Sequence, residues 1–357
     1  MCVSVVACSE NTPSSVDNDK VSQGSRSYVG LYGVSDSFNV GKNVFVRALA
    51  VDDIKQGLWI GTSVGVLDVD LRTKAVRQTF TRENGLANEY VFAAFQAANG
   101  AVWFGTNGGG SSRYKAGKWK TYFPMHGLAD YWVYAFAEQK NKALWVGTWA
   151  GLSKLDYGTG KFTTYIKELV NEWVYGLAVD SQDRVWIGTE GGVNMYDGEN
   201  WHTWTHKQGL GSANRRHLEF SANTGLGTRS RHDLSVLVAG GETYNPNYVF
   251  CIKVAPDDSV WAGTWGGGVS HYNGQKWQNL TSDDGLAGDI VYSIAIGKNG
   301  NYWFGTNKGL SVYDGSKWQT LTQAHGLLDT QVYALAIDSN GRVWAGTKNG
   351  VAVIERM

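Results

Sequence analysis

The chain has 357 residues, and its 32 Lys and Arg balance 32 Asp and Glu, a formal net charge of zero. That balance leaves no field to steer nucleic acid or an anionic membrane surface, so neither is expected as a direct partner. No run reaches the roughly eighteen apolar residues of a transmembrane helix, and 46 Gly against 4 Pro point to many turns within ordered structure.

Residues 1–27 stand apart from the rest of the chain. Val5-Val6-Ala7-Cys8 resembles the lipobox of bacterial lipoproteins. The resemblance implies a leader cut before Cys8 and a lipid on that cysteine, hence a periplasmic or cell-surface lipoprotein that touches the membrane only through its anchor. The apolar stretch of such a leader is almost missing before Cys8, as a start codon assigned too late would leave it. Residues 9–25 are Ser, Asn, Asp and Lys with one Pro, too polar to bury a core and suited to a tether. A disordered cytoplasmic N-terminus is the alternative.

From Tyr28 the chain reads as folded to its end, with a short strand expected over 28–32. The phrase Trp-x-Gly-Thr then returns at Trp59, Trp103, Trp145, Trp186, Trp261, Trp303 and Trp344. The intervals are 44, 42, 41, 75, 42 and 41 residues, so one unit repeats seven times with one insertion. A period near forty residues built of short strands predicts a propeller. Within residues 290–331 the pattern is an apolar run, a polar turn, the signature, a third run, Asp314-Gly315 and a fourth run. Four strands joined by tight turns make one antiparallel blade. A Gly-Leu pair closes the unit at Gly85-Leu86, Gly127-Leu128, Gly209-Leu210, Gly285-Leu286 and Gly326-Leu327, with Glu168-Leu169 in the third. The signature Trp is expected to fill the wedge between adjacent sheets, each ring contributing on the order of 2–3 kcal/mol.

The seventh unit lacks a fourth strand. The N-terminal strand is therefore expected to complete it and leave no open edge. The fold class is accordingly all-β, a seven-bladed β-propeller over 28–357 with an insertion at 211–247.

The innermost strands are expected to begin near Val44, Tyr90, Trp132, Trp173, Tyr248, Ile290 and Gln331. One position further than the Val that comes next, they carry Arg47, Phe92, Tyr134, Tyr175, Phe250, Tyr292 and Tyr333, six aromatics and one cation. Arg47 either meets an anionic group of a ligand or is a solvated residue beside the closure. Two further sets of rings fall on links toward one mouth: Tyr90, Trp132, Trp173 and Tyr248, and, directly after the signature, Trp149 and Trp265. Asn88, Glu89, Asp130, Asn171, Glu172, Glu190 and Asp289 stand beside them. Flat rings beside hydrogen-bonding groups suit a sugar or another ligand with an apolar face and a polar edge; packing between blades is the alternative. The insertion, with Arg215, Arg216, His217, Arg229, Arg231 and His232 against Glu219, Asp233 and Glu242, is expected to rise on the same face as a lid or a partner surface.

Paired carboxylates could act as in glycosidases, but acids at equivalent link positions are also turn formers or hydrogen-bond acceptors. No spacing suggests zinc, and no phosphate loop or Gly-x-Ser-x-Gly appears, so no cofactor or metal is expected. His126 and His325 each precede a Gly-Leu pair, and Cys251 reads as a buried thiol.

With Trp-Ile-Gly-Thr at 59–62, Trp-Phe-Gly-Thr at 103–106 and 303–306, and Gly-Leu before most units, the chain resembles the two-component regulator propeller repeats. The resemblance implies an extracytoplasmic sensor propeller that recognises a ligand, often an oligosaccharide, for a histidine kinase. Those receptors usually carry two propellers, a sandwich domain, a membrane helix and a kinase, none of which beyond one propeller is read here, so signalling would need a membrane sensor or other protein, engaged through 211–247. The competing functions are a lyase, as in the seven-bladed streptogramin lyases, and a protein-interaction scaffold.

Overall fold

The computed structural model describes residues 31–140, 142–221 and 242–357. Cys2, Cys8, the tether and Arg229, Arg231, His232 and Asp233 of the insertion lie outside the described residues. Seven four-stranded antiparallel sheets succeed one another along the chain. Their innermost strands are Val46–Asp52, Val91–Gln96, Val133–Gln139, Val174–Val179, Asn245–Val254, Val291–Ile296 and Val332–Ile337, and they define blades 1 to 7.

Blade 7 is closed as expected. Its outermost strand is Tyr32–Asn39, which pairs antiparallel with Gly350–Arg356 from Tyr32↔Arg356 to Asn39↔Gly350. The described strand begins at Tyr32, and residues 28–30 of the expected 28–32 strand lie outside the described residues. Its sequence, Tyr-Gly-Val-Ser-Asp-Ser-Phe-Asn, is poor in β-branched residues and half exposed, so pairing with the free edge rather than propensity makes it a strand.

Each residue of the signature has a separate structural task. All seven Trp are at most 3 % exposed. Each Gly lies against the first Val of the next innermost strand: a Cβ at Gly61 would come 2.7 Å from Val91 Cγ1, at Gly147 2.7 Å from Val174 Cγ1, and at Gly346 2.5 Å from Val46 Cγ1. The last of these carries the contact from blade 7 back to blade 1. Each Thr hydroxyl donates to the carbonyl at the start of the third strand, as Thr62 to Gly65, Thr148 to Gly151 and Thr306 to Gly309 at 2.7–2.9 Å. The turn after the signature is thereby held closed by the chain itself.

The Gly-Leu pairs end a feature that the sequence pattern did not resolve, a single turn of 3-10 helix after the fourth strand. Gly85, Gly127, Gly209, Gly285 and Gly326 take left-handed φ values from 96° to 116°, which stop the turn. The Leu of each pair is buried. His126 and His325 belong to this device, since Nδ1 of each accepts from the backbone N–H of Phe123 and Thr322.

Candidate functional site

The centre of the ring is made by a repeated irregularity. In each innermost strand the register slips just after the first Val, so that Val91 pairs with Thr106 but Ala93 with Gly105, leaving Phe92 as the extra residue. The same slip leaves out Arg47, Tyr134, Tyr175, Phe250, Tyr292 and Tyr333. A bulge bends its strand and re-aims the extra side chain. Here it brings together the seven positions that the repeat alignment singled out.

The rings contact in sequence around the axis: Phe92–Tyr134 at 4.7 Å between centroids, Tyr134–Tyr175 at 5.0 Å, Tyr175–Phe250 at 5.9 Å, Phe250–Tyr292 at 5.9 Å and Tyr292–Tyr333 at 5.2 Å. Arg47 completes the circle, its guanidinium 5.7 Å from the Tyr333 ring centre and 5.4 Å from that of Phe92. It also donates from Nη1 to the Tyr90 hydroxyl at 3.2 Å. Arg47 is therefore a buried member of the ring and not a solvated side chain; only 9 % of it is exposed. Burial raises the Tyr175, Tyr292 and Tyr333 hydroxyls above the ordinary tyrosine range and keeps them neutral.

The link aromatics fall into two groups. Trp149, Trp173, Tyr248 and Trp265 are buried in one cluster with Tyr175, Tyr292 and Tyr333. Trp149 and Trp173 lie 4.8 Å apart, and Tyr248 stacks on Trp265 at 5.4 Å. Tyr90 and Trp132 pack at the edge and stay half-buried, and Tyr131 beside Trp132 is exposed. Residues at one repeat position thus make a packed floor on blades 4 and 5 and an open rim on blades 2 and 3.

The polar neighbours also divide. Asn88, Asp130 and Asn171 each accept, through Oδ1, the backbone N–H two residues on, which fixes the turn that presents Tyr90, Trp132 and Trp173. Glu89 pairs with Arg82 at 3.0 Å and accepts its backbone N–H, tying down the 3-10 turn. Glu172 is exposed on the rim. Glu190 is buried and accepts from the Tyr175 hydroxyl at 3.4 Å. Asp289 pairs with Arg216 at 3.0 Å.

The stems of the insertion lie over blades 5 and 6. Glu242 gathers Arg216 at 2.9 Å, Lys308 at 2.8 Å and the Asn307 side-chain amide at 2.8 Å. Thr243 accepts the Trp265 indole N–H at 2.8 Å, so the stem holds that ring in place. Sequence reasoning placed Glu242 among the insertion charges but had no signal for this hub, because its partners lie 26 and 66 residues away. Cys251 is a free thiol that burial pushes up to about 12. Among the described residues no group of three or more His, Cys, Asp or Glu is placed to hold a metal ion, and no helix is long and apolar enough to cross a membrane.

Residues 85–108, 168–191, 285–308 and 326–349 match the family of the two component regulator propeller. Each match runs from the link through the innermost strand to just past the signature. Four segments of the chain are thus similar to two component regulator propeller repeats. In structure it is similar to the extracellular domain of a putative hybrid two component system from B. thetaiotaomicron, with 23% identity and a TM-score of 0.71 over 90% of this chain and 41% of that one. A second such domain from B. thetaiotaomicron gives 18% and 0.66 over 90% and 39%. The chain thus spans about two fifths of those extracellular domains. It is also similar to a catalytically inactive variant of virginiamycin B lyase from Staphylococcus aureus with Quinupristin, at 11% identity and a TM-score of 0.66 over 91% of this chain and all of that one. At these identities the likeness is one of fold. No curated protein matches the sequence.

Proposed function

We propose that the protein is an extracytoplasmic, sensor-type propeller that receives a glycan or another small ligand at the mouth bearing Tyr90 and Trp132. The observation that carries the reading is the contrast within one repeat position: Trp173 and Tyr248 are buried as floor, while Tyr90 and Trp132 remain accessible beside Glu172 and Tyr131. Rings left accessible next to polar groups offer a stacking face and hydrogen bonds together. Trp149, Trp173, Tyr248 and Trp265 support the rim, Glu190 supplies a buried acceptor, and Glu89 acts by holding its turn. The repeats and the likeness to extracellular domains of two component systems support a place outside the cytoplasmic membrane of a bacterium. On this reading Cys8 carries the anchoring lipid, and the insertion at 211–247 meets the ligand or a membrane sensor.

The test is tryptophan emission of the folded protein titrated with a panel of neutral and acidic glycans. A saturable change with at least one of them, lost in Trp132→Ala, is expected. No response to any member of the panel would remove the reading.

A further inference from the structure

Arg47 lies in the central ring and Lys253 on the innermost strand of blade 5, and among the described residues no carboxylate forms an ion pair with either. Arg47 has five N–H donors and donates to the Tyr90 hydroxyl; its other neighbours are the faces of Tyr90, Phe92 and Tyr333. A guanidinium taken from water is normally matched by an anion, because ring faces replace only part of its hydration. The second cation is Lys253, on the innermost strand of blade 5. Its equivalents, judged by pairing with the signature Trp, are Ala50, Phe95, Ala137, Ala178, Ala295 and Ala336. Lys253 is accessible to solvent. Three strand positions separate it from the ring, about 10 Å along the axis.

Arg47 borders a cavity of about 70 Å³ together with Phe92, Tyr134, Tyr175, Phe250 and Tyr333. One water needs roughly 10–15 Å³ of such space, so a small polyatomic anion could replace several waters there. The nearby acids are otherwise engaged: Glu190 with the Tyr175 hydroxyl, and Glu242 with Arg216 and Lys308.

We propose that the bore is an anion site, in which Arg47 holds a carboxylate or a small oxoanion at the aromatic ring and Lys253 supplies a second positive charge deeper in. The proposal rests on the mouth reading only for the route of entry. The anion is either a free ion or the acidic end of a ligand at the mouth, and the experiment separates these.

The full chain is titrated calorimetrically with sodium phosphate, glucuronate and glucose in a buffer free of other small anions, at constant ionic strength. Saturable binding of phosphate or glucuronate but not glucose is expected. Arg47→Gln should weaken it at least tenfold and Lys253→Met several-fold. Binding of both anions identifies a free-ion site, and binding of glucuronate alone identifies the acidic end of a larger ligand. If Arg47→Gln does not fold, Arg47→Lys and Lys253→Met carry the comparison. Absence of anion binding, or binding unchanged in these variants, overturns the proposal. A neutral glycan that still alters tryptophan emission would then leave the mouth reading standing alone.

Discussion

The Tyr32 hydroxyl accepts a hydrogen bond from the Asn301 side-chain amide at 2.6 Å, joining the first described strand to blade 6 across 269 positions of sequence. Asn299 donates to the same oxygen at 3.0 Å, and the Tyr32 ring lies edge-on to the signature Trp303 at 4.8 Å. At three other junctions the third strand of the next blade supplies a Tyr against the signature Trp: Tyr114 against Trp59, Tyr196 against Trp145 and Tyr272 against Trp186. In blade 7 the equivalent residue is Ile354, paired with Val343, so the ring from the closing strand takes over that role.

Closure should therefore be sensitive to this one side chain. Tyr32→Phe takes this acceptor from the buried Asn301 amide and from Asn299, and a loss of about 1–3 kcal/mol is expected. Tyr32→Ala also opens a cavity beside Trp303, for about 3–5 kcal/mol. Removal of residues 1–25, which leaves the strand whole, should not change the melting temperature. Thermal unfolding of the three proteins checks this, and equal melting temperatures for Tyr32→Ala and the parent would refute it.

The signature glycines give a second test, because the obstacle differs from blade to blade. At Gly346 an added Cβ would meet Val46 Cγ1 at 2.5 Å, whereas at Gly105 it would meet the Val133 carbonyl oxygen at 2.5 Å. Either Gly→Ala change should cost about 1–3 kcal/mol through overpacking. Val46→Ala should recover part of the loss in Gly346→Ala, a coupling of roughly 0.5–3 kcal/mol. Val133→Ala should recover little of the loss in Gly105→Ala, because that carbonyl remains. Denaturant unfolding of the two double-mutant cycles measures both couplings.

How much of this was legible in sequence depends on whether a feature repeats. Trp59 to Trp344, the Gly-Leu pairs and the missing fourth strand recur at fixed spacing, so blade number and closure could be counted. Arg47 and its six aromatic equivalents could be aligned by the same rule. Their convergence could not, because it depends on a bulge, which is a slip between two strands rather than a property of either. Accessibility was illegible for a related reason: Tyr90 and Tyr248 hold one repeat position, but Trp265 stacks on Tyr248 and Thr243 of the insertion holds Trp265. Such covering residues break the period, and a repeat pattern carries no information about them.

His271 offers a test by pH. It pairs across the sheet with the signature Trp261, and the two rings stack at 4.2 Å. Burial lowers the imidazole below its ordinary value of 6.5, with Asp257 opposing the shift in part. The folded state therefore binds this proton less readily than the unfolded chain. Between the folded and unfolded pKa values the unfolded state holds more protons, so stability rises with pH across that window. The contribution of His271 should be fully present above about pH 6.5 and be lost as the pH falls toward the lowered folded value. In His271→Gln, which keeps a flat polar group but cannot titrate in this range, the fall in melting temperature between pH 7 and pH 5 should be shallower than in the parent. Parallel curves for the two proteins would show that the imidazole titrates alike in both states, and the stacking on Trp261 would then have no consequence for stability in acid.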